Sequence, residues 1–128
     1  MKTNLALMIL DESDKEQFKS DMSDAFQFYA EDGYFPTDEQ ILPVEEIEQA
    51  LCPAHAIGYK AVWDGEIVGG AIISIDKQRQ HGSLELLYVK RGTQSQGIGK
   101  FMWFEIERLH PDIVIWETIT PAFAKRNI

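Results

Sequence analysis

The segment Lys90-Arg91-Gly92-Thr93-Gln94-Ser95-Gln96-Gly97-Ile98-Gly99-Lys100 gathers glycines, side-chain amides and cations into one short run. Glycines let a backbone come close to an anion, and the first N–H groups of a helix point outward unpaired, so this composition suits a phosphate. Gly92-x-x-x-x-Gly97 has the glycine spacing of a nucleotide-triphosphate loop, yet Ile98 and Gly99 stand where that loop needs Lys and Ser or Thr. Gly97-x-Gly99 begins a dinucleotide fingerprint, but Met102 occupies the place of its third glycine. What remains is Gln94-x-x-Gly97-x-Gly99 at the head of a helix, with Lys90, Arg91 and Lys100 adding positive charge.

The elements that must hold this loop follow from periodicity. Leu5 to Leu10 reads as a strand, and Ser13-x-x-Glu16 is a capping box for a helix with Phe18, Met22, Phe26 and Tyr29 on one face and Gly33 at its end. Pro43 starts a short helix in which Val44, Ile47 and Leu51 share a face. The period then changes to two. Residues 56–63 and 66–75 flank Asp64-Gly65, which predicts a two-residue hairpin, and Gly69-Gly70 predicts a bulge or a close backbone approach. SLELLYV, 83–89, is the next strand of an antiparallel meander. The glycine loop opens a helix from about Gly97 to His110, apolar nearly all round and so expected to be largely buried. DIVIWETI, 112–119, reads as a central parallel strand that closes a βαβ unit.

Length and charge bound the rest. A chain of 128 residues matches one domain, 1–128, that can bury its own core. Residues 1–50 hold 13 acidic and 3 basic side chains, net −10, and residues 51–128 hold 8 and 9, net +1. Such a surface repels nucleic acid, and it suits either solvation or a cationic ligand. Ile67 to Ile75 is too short to span a bilayer and no signal peptide is visible, so a cytoplasmic protein without membrane partners is expected. Cys52 stands alone, which leaves it as a small hydrophobe at a helix end and implies neither disulfide nor metal.

Gln94-Ser95-Gln96-Gly97-Ile98-Gly99, preceded by LELLYV and followed by a helix and a strand, resembles the acyl-CoA motif of the GNAT superfamily of N-acetyltransferases. The element order of nearly the whole chain is similar to that family's. The resemblance implies a mixed α/β fold: a mainly antiparallel sheet, helices on both faces, and a splay between the fourth and fifth strands. It also implies acetyl-CoA as co-substrate, with no metal. Backbone N–H groups of Gln94, Ser95, Gln96, Gly97, Ile98, Gly99 and Lys100 would hold the pyrophosphate. Leu87, Tyr88 and Val89 would pair with the pantetheine arm as a strand pairs with an edge, and the N–H near Leu87 would polarise the thioester carbonyl. Asn127 resembles the asparagine that begins the family's next helix and helps hold the cofactor.

In such a family the amine attacks the thioester directly, so no nucleophilic triad is required. Glu85, alternating with Leu87 and Val89 on one strand face, is the candidate general base; a solvent-facing or ion-paired strand glutamate is the alternative. His55, His81 and His110 sit at element ends and are assigned to turns or caps. Acceptor specificity in the family comes from the first two helices and the loop between them, here Tyr29, Glu31, Asp32, Tyr34, Phe35, Asp38 and Glu39. Those carboxylates and aromatic faces suit a cationic amine on a small molecule or peptide. The family's closing helix and strands, and its tyrosine general acid, have no counterpart after TPAFAKRNI. A C-terminally truncated form is therefore expected, with the edge of the fifth strand pairing in a homodimer. A catalytically degenerate acyl-CoA-binding or regulatory module, and a non-catalytic interaction domain, remain open as alternatives.

Overall fold

A computed structural model of the chain describes residues 4–33, 42–93 and 96–118, with the backbone alone for 29–33. The strands are β1 (Leu5–Ile9), β2 (Ala56–Trp63), β3 (Glu66–Asp76), β4 (His81–Val89) and β5 (Ile115–Thr118), and the helices are α1 (Lys15–Gly33), α2 (Val44–Leu51) and α3 (Ile98–Leu109). The sheet runs β1-β2-β3-β4-β5, antiparallel except for the β4–β5 pair, which is parallel and bridged by α3. This is the mixed, mainly antiparallel α/β architecture expected from the sequence.

Side-chain alternation sorts the core onto two sheet faces. Phe18, Met22 and Phe26 of α1 and Ile47 of α2 meet Ile72, Leu86 and Tyr88 on one face. Ile98, Met102 and Ile106 of α3 meet Tyr59, Ile73, Leu84, Leu87 and Val89 on the other. Burying each such side chain is worth roughly 1.5–3 kcal/mol, so β4, which feeds both cores, is held firmly in place. Asp64 (φ 53) and Gly65 (φ 86) form the expected hairpin turn. The expected close approach at Gly69-Gly70 is also present: a Cβ on Gly69 would lie 2.8 Å from the Tyr88 carbonyl oxygen, and one on Gly70 would enter the Phe18 ring. A bulge adjoins them, since Ala61 pairs with Gly69 but Val62 with Ile67.

Other expectations change. Ser13 does not cap α1: a 3-10 turn, Glu12–Asp14, precedes the helix, and the Ser13 hydroxyl donates to Asp11 Oδ1 at 3.4 Å. Helix α3 is buried on one face only, and Phe104 and Leu109 are exposed, because a single sheet face covers it among the described residues. Strand β5 is the last in the sheet order among the described residues, with Ile115 and the preceding Val114 exposed. Cys52 is exposed as well. No helix among the described residues is long and apolar enough to cross a membrane.

Candidate functional site

The site begins with an irregularity in β4. Ile73 pairs with Leu84 and Ile72 with Leu86, so Glu85 is an extra residue on β4, the bulged position. A bulge re-aims the side chains that follow it. Leu84 and Leu87 therefore both reach the α3 core, while Leu86 and Tyr88 reach the α1 core. Glu85 does not share the face of Leu87 and Val89, as strict alternation implied. It lines a cleft of about 670 Å3 on the α2 side, with Gln49 and Ala50 of α2 on one wall, Ser74 and Asp76 of β3 on another, and His81 and Ser83 beside it on β4.

Glu85 is half-buried, and its carboxylate makes no hydrogen bond or ion pair with another described residue. That makes it available to a ligand. Along the same strand face, His81 Nε2 lies 3.2 Å from Glu117 Oε1 of β5. Its assignment to a turn fails because β4 starts at His81, two residues earlier than the sequence suggested. The period-two spacing of 81, 83 and 85 was the signal that could have found it.

Among the described residues, the pairing of β4 with β5 runs from His81↔Ile115 to Leu84↔Thr118. Leu86 to Val89 pair with β3 on one side, and their backbones continue from the β5-paired segment towards the head of α3. The side chains of Leu87, Tyr88 and Val89 are buried, which leaves their backbones as the usable part. Tyr88 stands edge-on to Phe18 with ring centroids 5.6 Å apart. Burial, followed by the charge of Asp21, pushes its phenol ionisation well up, so the hydroxyl stays neutral.

The glycine loop leaves β4 through a tight turn. The Lys90 N–H donates to Val68 O at 2.8 Å, the Thr93 N–H to Lys90 O at 3.0 Å, and Gly92 takes φ 97. Gly97, at φ 78, is the N-cap of α3, and the Phe101 N–H returns to its carbonyl at 3.0 Å. The N–H groups of Ile98, Gly99 and Lys100 are thus the first-turn donors of the helix, with no hydrogen-bond partner among the described residues. Ile98 and Gly99 are buried, Gln96 and Lys100 are exposed, and the first turn holds no acidic residue to oppose an anion. Arg91, expected to serve the loop, is turned to α1 instead: its Nη1 is 3.6 Å from Asp24 Oδ1 and its guanidinium lies 4.7 Å over Phe28. Lys100 Nζ sits 5.7 Å from the Phe104 ring. Gln94, Ser95 and Asn127 lie outside the described residues, as do Tyr34, Phe35, Asp38 and Glu39 and the side chains of Tyr29, Glu31 and Asp32.

Known proteins resemble this chain in sequence or in fold. The uncharacterised protein YrkN of Bacillus subtilis (strain 168) is 38% identical over 129 residues, covering 95% of this chain, which spans 66% of that protein's length. The PaiA N-acetyltransferase of Thermoplasma acidophilum, in complex with coenzyme A, superposes with a TM-score of 0.68 at 17% identity, covering 84% of this chain and 72% of that one. The aminoglycoside acetyltransferase meta-AAC0020 from an uncultured soil metagenomic sample, in complex with sisomicin, superposes with a TM-score of 0.63 at 19% identity, covering 93% and 79%. At those identities the structural likeness is one of fold. Residues 15–123 match the Acetyltransferase (GNAT) family, and with β4 bulged at Glu85, paired in parallel with β5 and leading to a glycine-capped helix, the chain belongs to that family.

Proposed function

We propose that the chain transfers an acetyl group from acetyl-CoA to an amine bound in the Glu85 cleft. One observation carries this reading: the bulge turns the Glu85 carboxylate, which has no partner among the described residues, into the α2-side cleft beside the strand that leads to the glycine-capped helix. The residues present fit the co-substrate. The backbone of β4 from Leu87 to Val89 suits the amides of a pantetheine arm, and the Gly97-capped head of α3 suits a pyrophosphate. Coenzyme A bound to PaiA, a protein of the same fold, supports the assignment.

Acetyl-CoA, when bound, supplies an activated thioester carbonyl. In this reading the backbones of Leu87, Tyr88 and Val89 hold the pantetheine amides, and the N–H groups from Gln94 to Lys100 hold the pyrophosphate, with Asn127 as a further contact. The N–H near Leu87 donates to the thioester oxygen as negative charge grows on it. Glu85 takes a proton from the incoming ammonium, because only the neutral amine has a lone pair to attack with. The cleft lining is mostly polar, with Gln49, Ser74, Asp76 and Ser83 around Glu85, which suits an amine on a hydrogen-bonding small molecule or basic peptide.

Coenzyme A release measured over a panel of diamines, polyamines, aminoglycosides and basic peptides, beside direct titration with acetyl-CoA, tests this. Saturable binding with turnover of a cationic amine is expected. Binding without turnover on any amine would make the chain an acyl-CoA-binding module, and absence of binding would remove the reading altogether.

A further inference from the structure

His81, Ser83 and Glu85 alternate along β4 and line one cleft. Residues two apart on a strand have Cα atoms about 6.6 Å apart on one face, close enough for their polar side chains to be linked through bridging water. At the far end of this row the His81 ring is held by Glu117, with Nε2 to Oε1 at 3.2 Å. A neutral imidazole that donates from Nε2 carries its lone pair on Nδ1, where it can accept a proton and become a cation still paired to Glu117.

The reaction needs such an acceptor. An ammonium R–NH3+ and a thioester give the amide R–NH–CO–CH3 and a thiol: an N–C bond forms, the C–S bond breaks, and nitrogen loses two protons. One ends on sulfur and the other must leave the site. An acceptor seated in the cleft covers Glu85, so the proton that Glu85 takes cannot pass straight to bulk solvent. We propose that His81, positioned by Glu117, receives this proton from Glu85 through Ser83 and bridging water and releases it at the cleft mouth, where 28% of its side chain is exposed. The inference rests on the acetyl-transfer reading above.

The other charged groups facing His81 do not compete for this role. Asp76, its register partner on β3, is occupied by Arg79, through the backbone N–H at 3.2 Å and Nε at 3.8 Å. Lys77, on the turn after β3, is a cation with no lone pair to offer. His55 is an exposed residue of the α2–β2 connection and does not lie on the β4 row.

The test is the kinetics of His81→Ala, Glu117→Gln and Ser83→Ala across pH, with and without free imidazole, alongside their acetyl-CoA dissociation constants. Expected is a fall in kcat of about tenfold for His81→Ala, smaller than the roughly 100-fold minimum for the residue that takes the proton directly, with both KM values little changed. Imidazole should restore most of that loss. Ser83→Ala, a near-isosteric change that preserves folding, should show a similar fall that imidazole does not restore. Unchanged kcat in His81→Ala and Ser83→Ala overturns the relay and leaves acetyl transfer standing. A raised KM for the amine with kcat intact also overturns it, making His81 an acceptor contact. Absence of turnover in the wild type with every amine overturns both readings.

Discussion

Leu84 and Leu87, an odd number of positions apart on β4, pack into the same α3 core. Regular pleating forbids this, and the bulge at Glu85 produces it. The same irregularity aims Glu85 into the α2-side cleft.

Replacing Glu85 with Gln keeps the shape and removes the basicity. Turnover is expected to drop about 100-fold or more, roughly 3 kcal/mol in the barrier, with acetyl-CoA affinity retained. Steady-state kinetics over pH 6 to 9 beside calorimetric titration checks it. Wild-type turnover in the variant would leave Glu85 a structural residue of the bulge.

The element order, the Asp64-Gly65 hairpin and the glycine cap at Gly97 were legible because each rests on local chemistry: period, turn type and left-handed backbone. The direction of Glu85 was not. A bulge depends on how β3 and β4 match over their whole length, and nothing in LELLYV marks the extra residue. The destination of Arg91 was hidden for a related reason, since Asp24 and Phe28 come near it only once α1 is laid across the sheet. The exposed outer faces of α3 and β5 defeat composition-based reasoning, because their apolar residues read as core regardless of what covers them.

The loop gives a second prediction. Gly97 holds φ 78, where an L-residue costs roughly 1–2 kcal/mol, so Gly97→Ala should weaken acetyl-CoA binding by distorting the cap. Gly99→Glu sets bulk and negative charge at the head of α3 and should abolish binding. Wild type should gain about 2.7 kcal/mol of stability at acetyl-CoA 100 times its dissociation constant, read as a shift in Tm, and folded Gly99→Glu should gain none.

Gly82 lies beneath the indole of Trp116, its register partner on β5, and an added Cβ would fall 2.5 Å from Cζ3. Trp116 is itself wedged against Trp103, with ring centroids 5.3 Å apart, and has little room to yield. Gly82→Ala should therefore cost about 1–3 kcal/mol by overpacking and loosen the β4–β5 pair. Denaturant unfolding checks the cost. Amide hydrogen exchange at Ile115 to Thr118 should speed up, and unchanged exchange would mean that Trp116 does not lock the pair.

Stability should fall in two steps on acidification. Burial, then the charge of Lys77, holds the His110 imidazole below its ordinary range, and its Nε2 lies 2.7 Å from the Tyr59 hydroxyl. The unfolded chain takes up that proton near pH 6.5 while the folded one resists, so stability is lost as pH falls from there through the folded value. The Asp14 carboxyl is held low chiefly by its hydrogen bond from Lys60, so its contribution persists above about pH 4 and is lost as pH drops through its folded value. Unfolding free energy measured against pH should lose the upper step in His110→Gln and the lower one in Asp14→Asn. Parallel curves for wild type and either variant would assign that step to other groups.

The central claim is that acetyl-CoA lies along β4 from Leu87 to Val89 and against the head of α3. Amide chemical shifts followed during a titration of the protein with acetyl-CoA test it most directly. The expected result is saturable shifts concentrated on Leu87 to Val89 and on Gly97 to Lys100, with β1 and β2 unmoved. Absence of saturable shifts, or shifts confined to other elements, would contradict it.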